Sequence, residues 1–315
     1  MTPRERAQIA KATAIEAGFS LAGVTSAEPL AGFEYYRDWL AAGRAGSMEY
    51  LRRNVHFREN PGQLLAGAQS ILCVAMSYNR EDVPPAEQQQ SGGFGKVARY
   101  ARGHDYHSVL KRRLYRVIEL LREQVPEPFE ARPFVDTGPI LERQLAARAG
   151  LGWIGKNTLL MNAKLGTYLF LGEIITTLVM EPDGAVADHC GTCTRCLDAC
   201  PTKAFPAPYQ MDASRCISYL TIEHREEIPQ AFHKQIGEWV YGCDVCQEVC
   251  PHNTRAPRGN DEELLADTTP AYVPLPLLAN LTSGDYRRLT KNSAARRATR
   301  QMWERNGEIV RGNQG

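Results

Sequence analysis

Apolar positions recur at two different periods through the first 180 residues. Residues 4–17 carry Ala and Ile at helical spacing, and Gly18 closes that segment. Leu21 to Thr25 predicts a short strand. Residues 28–42 are helical, with Phe33, Tyr36, Trp39 and Leu40 on one face, and Ser47 caps a short helix from Met48 to Arg53. Ser70 to Tyr78 is an unbroken apolar run and predicts a buried strand, followed by a polar loop over 79–95 rich in Pro, Gln and Gly. A long helix then runs to about Gln124, with Val109, Leu110, Leu114, Val117, Leu120 and Leu121 on its apolar face. Phe129 to Val135 predicts a strand ending at Asp136. Pro139 suits the first turn of a helix reaching Ala149. Residues 158–162 and 167–178 predict two strands joined around Gly166. This alternation gives a mixed α/β layer domain over residues 1–183.

The pattern stops at a linker over 181–188. Residues 184–260 carry cysteines instead of apolar periodicity, and residues 261–315 predict a helical tail. Eight of the nine cysteines lie between Cys190 and Cys250. Cys190, Cys193, Cys196 and Cys200-Pro201 follow the C-x2-C-x2-C-x3-C-P spacing of bacterial [4Fe-4S] ferredoxins, whose fourth cysteine serves the other cluster. The second run, Cys243, Cys246 and Cys250-Pro251, lacks its first cysteine. By register that position is Val240, and Cys216 is the nearby thiol able to replace it. Cross-ligation assigns Cys190, Cys193, Cys196 and Cys250 to one cluster, and Cys200, Cys216, Cys243 and Cys246 to the other. A structural zinc site would use four thiolates, leave four idle, and leave the repeated spacing unexplained. A disulfide framework does not suit a chain without secretory marks. Cys73, inside the apolar run, is a small core residue.

Composition is that of a globular chain, 43% hydrophobic and 23% charged. The amino terminus has no apolar signal core, Arg4-Glu5-Arg6 is not a twin-arginine signal, and no run reaches membrane-span length. A reducing, cytoplasmic location follows. Net charge is +1, which excludes bulk polyanion binding, yet Leu281 to Gly315 holds eight Lys/Arg against three acids.

Two clusters alone mean electron transfer. A domain of roughly 180 residues in front of them calls for a second redox centre or a substrate. Polar candidates at its strand ends and loops are Arg58, Arg99, Tyr100, His104, Asp105, His107, Asp136 and Lys156. Asp136 is the most informative, because it ends a strand just before a helix. Gly150 to Thr158 mimics a dinucleotide fingerprint but follows a helix. It mimics a phosphate loop but has Asn157 where a Ser or Thr is required. A turn rich in N–H groups, with one lysine, remains.

Several segments together resemble the epoxyqueuosine reductases. They are Ala98–His107 (ARYARGHDYH), Arg132–Asp136 (RPFVD), Pro139–Arg143 (PILER), Gly150–Asn157 (GLGWIGKN), Leu171–Glu173 (LGE) and Arg215–Glu223 (RCISYLTIE). The resemblance runs from the amino terminus to about residue 312. It implies a cobalamin in the front domain beside one of two [4Fe-4S] clusters, which relay electrons from an external donor such as a flavodoxin or ferredoxin. The implied reaction reduces the epoxide of epoxyqueuosine, at the wobble position of tRNA, to the cyclopentene of queuosine. Asp136 matches the family's proton donor, so a carboxyl pKa raised by burial is expected. Arg58, Tyr100, Asp136, Lys156, Asn157 and Ser218 lie in motifs that would line the cofactor. The D-x-H-x-x-G signature of histidine-ligated cobalamin is absent, which makes His107 a poor cobalt ligand. His252 stands where the family carries an aromatic. Many members continue into a HEAT-like repeat beyond the end of this sequence. That shifts expected tRNA contact to Lys111, Arg112, Arg113 and Arg116, and to Arg296, Arg297 and Arg300 in the basic tail. The family also suggests a monomer. A reductive dehalogenase shares the cofactors but not the basic tail. A ferredoxin-like carrier does not account for the large front domain.

Overall fold

The computed structural model describes residues 1–82 and 93–315. Residues 83–92, in the expected polar loop, lie outside the described residues. The strands are β1 (Leu21–Ser26), β2 (Ser70–Ser77), β3 (Phe94–Val97), β4 (Ala131–Phe134), β5 (Trp153–Ile154), β6 (Leu160–Met161), β7 (Leu169–Thr176), β8 (Trp239–Tyr241) and β9 (Tyr272–Pro274). The main sheet has the order β1-β2-β7-β4 and is antiparallel throughout. β2 is buried at all eight positions, which explains its unbroken apolar run: a central strand covered on both faces has no side left for polar residues.

One face of this sheet presents Leu72, Val74, Met76, Phe170 and Ile174 to the helices Pro3–Glu16 and Tyr106–Gln124. The other presents Ile71, Cys73, Ala75, Leu171 and Ile175 to the helix Glu142–Arg148, which supplies Leu145 and Ala146. Glu173 shares this second face by strand alternation. The predicted face of the helix Tyr106–Gln124 is the buried one, and Asp105 caps it by accepting from His107 N.

A second sheet, β8-β3-β9, joins the front of the chain to the cysteine region and the tail. Their shared core contains Val97, Val240, Tyr241, Val273, Met302 and Trp303. Tyr241 stacks on Trp303 at 5.2 Å, and the Asn306 amide donates to the carbonyls of Thr221 and Val240. Val240 is fully buried in β8, so the position lacking a cysteine is a core position.

Three expectations are corrected. Pro139 does not open a helix. The chain turns over 136–140, with Asp136 at φ +51°, and the helix starts at Glu142. The strand expected over 158–162 shrinks to β6, which pairs with β5, a strand hidden within the glycine-rich turn. Residues 261–315 contain β9 as well as helices. Among the described residues no helix is long and apolar enough to cross a membrane.

Candidate active site and cluster nests

Asp136 projects from the turn after β4. Its backbone lies in the left-handed region, which Asp tolerates better than most residues. Tyr106 Oη donates to Asp136 Oδ2 at 2.8 Å, and His107 Nε2 lies 3.0 Å from the same oxygen. On the far side of the imidazole, Nδ1 lies 2.7 Å from Asp105 Oδ1. Tyr106 is fixed by stacking on Phe170, at 4.3 Å and 6°. The Asp136 N–H donates to Glu142 Oε1.

The electrostatics correct one expectation. Desolvation pushes the Asp136 carboxyl up, but hydrogen bonds from His107 and Tyr106 outweigh it. The chain by itself holds this group below the usual carboxylate range. The proton resides on the partner. Desolvation pulls His107 down, while its bonds to Asp105 and Asp136 push it up to about 9. Desolvation and the Asp136 charge push Glu142 up to about 8.

The Asp136 side chain is 53% exposed, and Arg143 is also exposed. Both are nevertheless strongly desolvated. Each is thus open to water on one side and flanked by protein on the others. Tyr50, Arg297 and Glu223 border the same region. Arg297 forms two 2.8 Å bonds to Glu223 and lies over the Tyr50 ring, and its charge reaches Asp136.

The structure gathers the cysteines into two nests. Cys190, Cys193, Cys196 and Cys250 line one surface hollow together with Lys156, His189, Arg195 and His252. Lys156 Nζ donates to the carbonyls of Gly191 at 2.6 Å and Cys193 at 3.0 Å, so this lysine braces the cysteine loop. Trp153 sits between His189 and His252 in two edge-to-face contacts, at 5.0 and 5.1 Å. His252 thus keeps a ring contact at the position where an aromatic was expected. In the other nest, Cys216 and Cys200 neighbour Cys246, and Cys216 and Cys246 neighbour Cys243. Burial pushes the Cys216, Cys243 and Cys246 thiols up, although each residue keeps part of its surface. Among the described residues no three candidate ligands close to single-ion spacing. A cubane, with sulfides between its irons, holds four thiolates further apart than one zinc ion does.

The other predicted residues differ in their surroundings. Arg58 is 6% exposed and donates to the carbonyls of Arg53 and Tyr50, bracing a loop. Tyr100 reaches Tyr241 Oη at 3.3 Å and lies edge-on to Tyr106. Ser218 contacts the Cys216 thiol from the first turn of its helix. Asn157 is 2% exposed, and its amide Nδ2 has no partner. Of the tail and helix cations, Arg112 pairs with Glu263, Arg113 with Asp261, Arg297 with Glu223 and Arg300 with Glu304. Arg112 and Arg296 line one hollow with His104 and Asp105, while Lys111 is exposed. Sequence reasoning missed Tyr106, Tyr50, Glu142, Glu173 and Glu223 as site residues. Tyr106, Glu142, Glu173 and Glu223 stand inside the family-like motifs, and that was the available signal; Tyr50 had none.

Comparison with known proteins meets this geometry at both ends. The family described as "Epoxyqueuosine reductase QueG, DUF1730" matches residues 58–137, which end one residue past Asp136. The "4Fe-4S double cluster binding domain" matches residues 189–253, spanning both nests. An epoxyqueuosine reductase of Xanthomonas campestris pv. campestris is 41% identical over 99% of this chain and 88% of its own length. The chain belongs to the epoxyqueuosine reductase family. It is therefore an oxidoreductase. The epoxyqueuosine reductase of Pseudomonas aeruginosa is 38% identical over 99% of this chain and 86% of its own. A crystal structure of epoxyqueuosine reductase with an epoxyqueuosine-modified tRNA stem loop superposes with a TM-score of 0.86 at 29% identity, over 97% of this chain and 80% of that one. The Bacillus subtilis epoxyqueuosine reductase, solved with its catalytic loop swung out of the active site, gives 0.86 at 28% identity, over 97% of this chain and 81% of that one.

Proposed function

We propose that this chain reduces the epoxide of epoxyqueuosine at the wobble position of tRNA to the cyclopentene of queuosine. The reading is carried by Asp136, held by Tyr106 and His107 on a desolvated wall, in a chain of this family. The reaction takes up two electrons and two protons, breaks both epoxide C–O bonds, forms a C=C bond and releases water. Two [4Fe-4S] clusters bound by the two cysteine nests relay the electrons. The nest of Cys190, Cys193, Cys196 and Cys250 opens to the surface and receives them from a flavodoxin or ferredoxin. The nest of Cys200, Cys216, Cys243 and Cys246 delivers them inward.

The Asp136 region suits a cobalamin in two respects. Asp136 and Arg143 are desolvated yet reached by water, and Asn157 keeps an unpaired amide N–H that a small turn of its side chain would offer to the amide-rich rim of a corrin. When bound, cobalamin supplies a reduced metal nucleophilic enough to open an epoxide. Tyr100, Asp136, Asn157 and Ser218 would hold it, while Arg58 and Lys156 act through the loops they brace. Asp136, ionised at rest, relays a proton from His107 to the oxygen freed by ring opening. His107, kept cationic by Asp105, resupplies that proton, and Tyr106 orients the carboxylate.

On the substrate side, Lys111 and Arg296 contact tRNA phosphates beside Asp105, and Arg112 joins them by turning from Glu263. Arg113, Arg297 and Arg300 hold their carboxylate partners and shape the rim. The three segments 1–183, 184–260 and 261–315 divide these tasks in a cytoplasmic monomer. The test is anaerobic. The protein, reconstituted with iron, sulfide and cobalamin, is given a strong reductant and tRNA carrying epoxyqueuosine. Nucleoside digestion and mass spectrometry then yield queuosine. Unchanged epoxyqueuosine, with both cofactors verified, contradicts the proposal.

A further inference from the structure

Behind Asp136 lies a second pair of acids that the reaction as described does not use. Glu142, at the start of its helix, accepts the Asp136 backbone N–H. Glu173, in the middle of β7, is 0% exposed, and neither of its carboxyl oxygens has a hydrogen-bond partner. Its strand neighbours across the sheet are Cys73 and Phe134. A charged carboxylate in such a place would bear the full cost of desolvation, so Glu173 is neutral and carries a proton.

The charged and titratable groups facing this pair are few. Asp136, Arg143 and His107 face Glu142. Glu142 and Asp136 face Glu173. Cys73 lies beside Glu173, and burial pushes its thiol well up, so it stays neutral. Burial raises both glutamates, and each neighbouring acid raises them further, with Glu142 reaching about 8. At neutral pH this pair holds protons while Asp136 does not.

The reaction proposed above consumes two protons. One goes to the oxygen freed when the first C–O bond breaks. The other must go to the hydroxyl that leaves as water when the second C–O bond breaks and the C=C bond forms. The two electrons come from the external one-electron carrier. His107 accounts for the first proton. We propose that Glu142, backed by the buried Glu173, is a positioning residue and proton store: it fixes the Asp136 turn through its N–H and returns a proton to Asp136 for departure of water.

The inference rests on the proposed epoxide reduction, and the two are separable. Glu142→Gln keeps an oxygen for the Asp136 N–H but carries no acid proton. Glu173→Gln removes the buried acid with little change of shape. Glu142→Ala removes the latch as well. In the protein without cobalamin, infrared difference spectra across a pH titration should show a protonated-carboxyl band in the parent that Glu173→Gln lacks. With the loaded enzyme and epoxyqueuosine tRNA, the parent should turn over evenly to about pH 8. Glu142→Gln should be slower by on the order of tenfold to hundredfold, with the deficit growing as pH rises. A small protonated amine in the buffer should restore part of the rate. Glu142→Ala should be slower still and not restored. Wild-type rates and pH profiles in both Gln variants overturn the inference. So does a pH-independent loss that buffer acids do not relieve, because that marks a purely structural role. A parent enzyme that forms no queuosine at all overturns the proposed function instead.

Discussion

The two cysteine nests use the same residues in opposite settings. In the outer nest the connecting loop is exposed at Gly191, Thr192, Thr194 and Arg195, and one lysine holds two of its carbonyls. In the inner nest Cys216 begins a helix whose Ile217, Tyr219 and Leu220 are core, and Cys243 follows directly on β8 and Gly242. Asp244, between Cys243 and Cys246, is buried and accepts the Arg99 N–H at 2.7 Å, tying this nest to the front domain. The same set of four cysteines is thus offered by an exposed loop on one side and by core-packed elements on the other. The difference lies in what the intervening residues touch.

The sharpest break of this comparison is Cys216→Ser. One cluster should be lost or converted, and turnover should fall to background with any reductant. Unchanged iron content and spectrum would dissolve the inner nest. Next is Asp136→Ala, at the far end of the path: cobalamin binding should survive while turnover falls on the order of a hundredfold to ten-thousandfold. A near-normal rate would remove its acid role. Cys193→Ser, in the outer nest, should abolish turnover driven by a protein carrier but spare much of that driven by a small strong reductant. Equal loss with both donors would erase the distinction between receiving and delivering nests.

A smaller effect is expected from Lys156→Met. It leaves two partly solvated loop carbonyls without their donor, at about 0.5–1.5 kcal/mol each, and should lower the denaturation midpoint and quicken iron loss from the outer nest before the inner. Simultaneous loss from both would show that the brace is not local. The smallest is a pH effect at His107. Its pKa is raised from 6.5 to about 9, so its stabilising bonds are fully present below pH 6.5 and vanish as pH rises through about 9. The melting temperature of His107→Gln should lie below the parent's at the acidic end and converge with it above pH 9. A constant gap would mean that charge plays no part.

Much of this molecule is legible in its amino-acid sequence, and for a local reason. Within each cysteine run only two or three residues separate neighbouring thiols, so the spacing is written directly in the chain, whereas Cys216 enters only through the gap in register at Val240. The buried runs of β2, β7 and the helix Tyr106–Gln124 declare themselves by period. The pKa of Asp136 is not legible, because it is set by Tyr106 and His107, 30 and 29 residues away, arriving from another element. Nor can the chain alone show that Lys156 reaches Gly191 and Cys193, or that Arg112, Arg113 and Arg297 are engaged by acids far off in sequence. Pro139 misleads, since the turn that poses Asp136 occupies the residues its helix was expected to use. The vacancy in cysteine spacing at Val240 makes physical sense only once β8 is seen to place that side chain in the core.

The central claim is that electrons entering at the outer nest end in the deoxygenation of a tRNA base. Its most direct test counts them. Anaerobic protein loaded with both clusters and cobalamin is titrated with reductant in the presence of epoxyqueuosine tRNA, and the digested nucleosides are weighed. One queuosine, lighter by one oxygen atom, should form for every two electrons consumed beyond those needed to reduce the cofactors. Consumption of electrons with the epoxide intact would contradict the account.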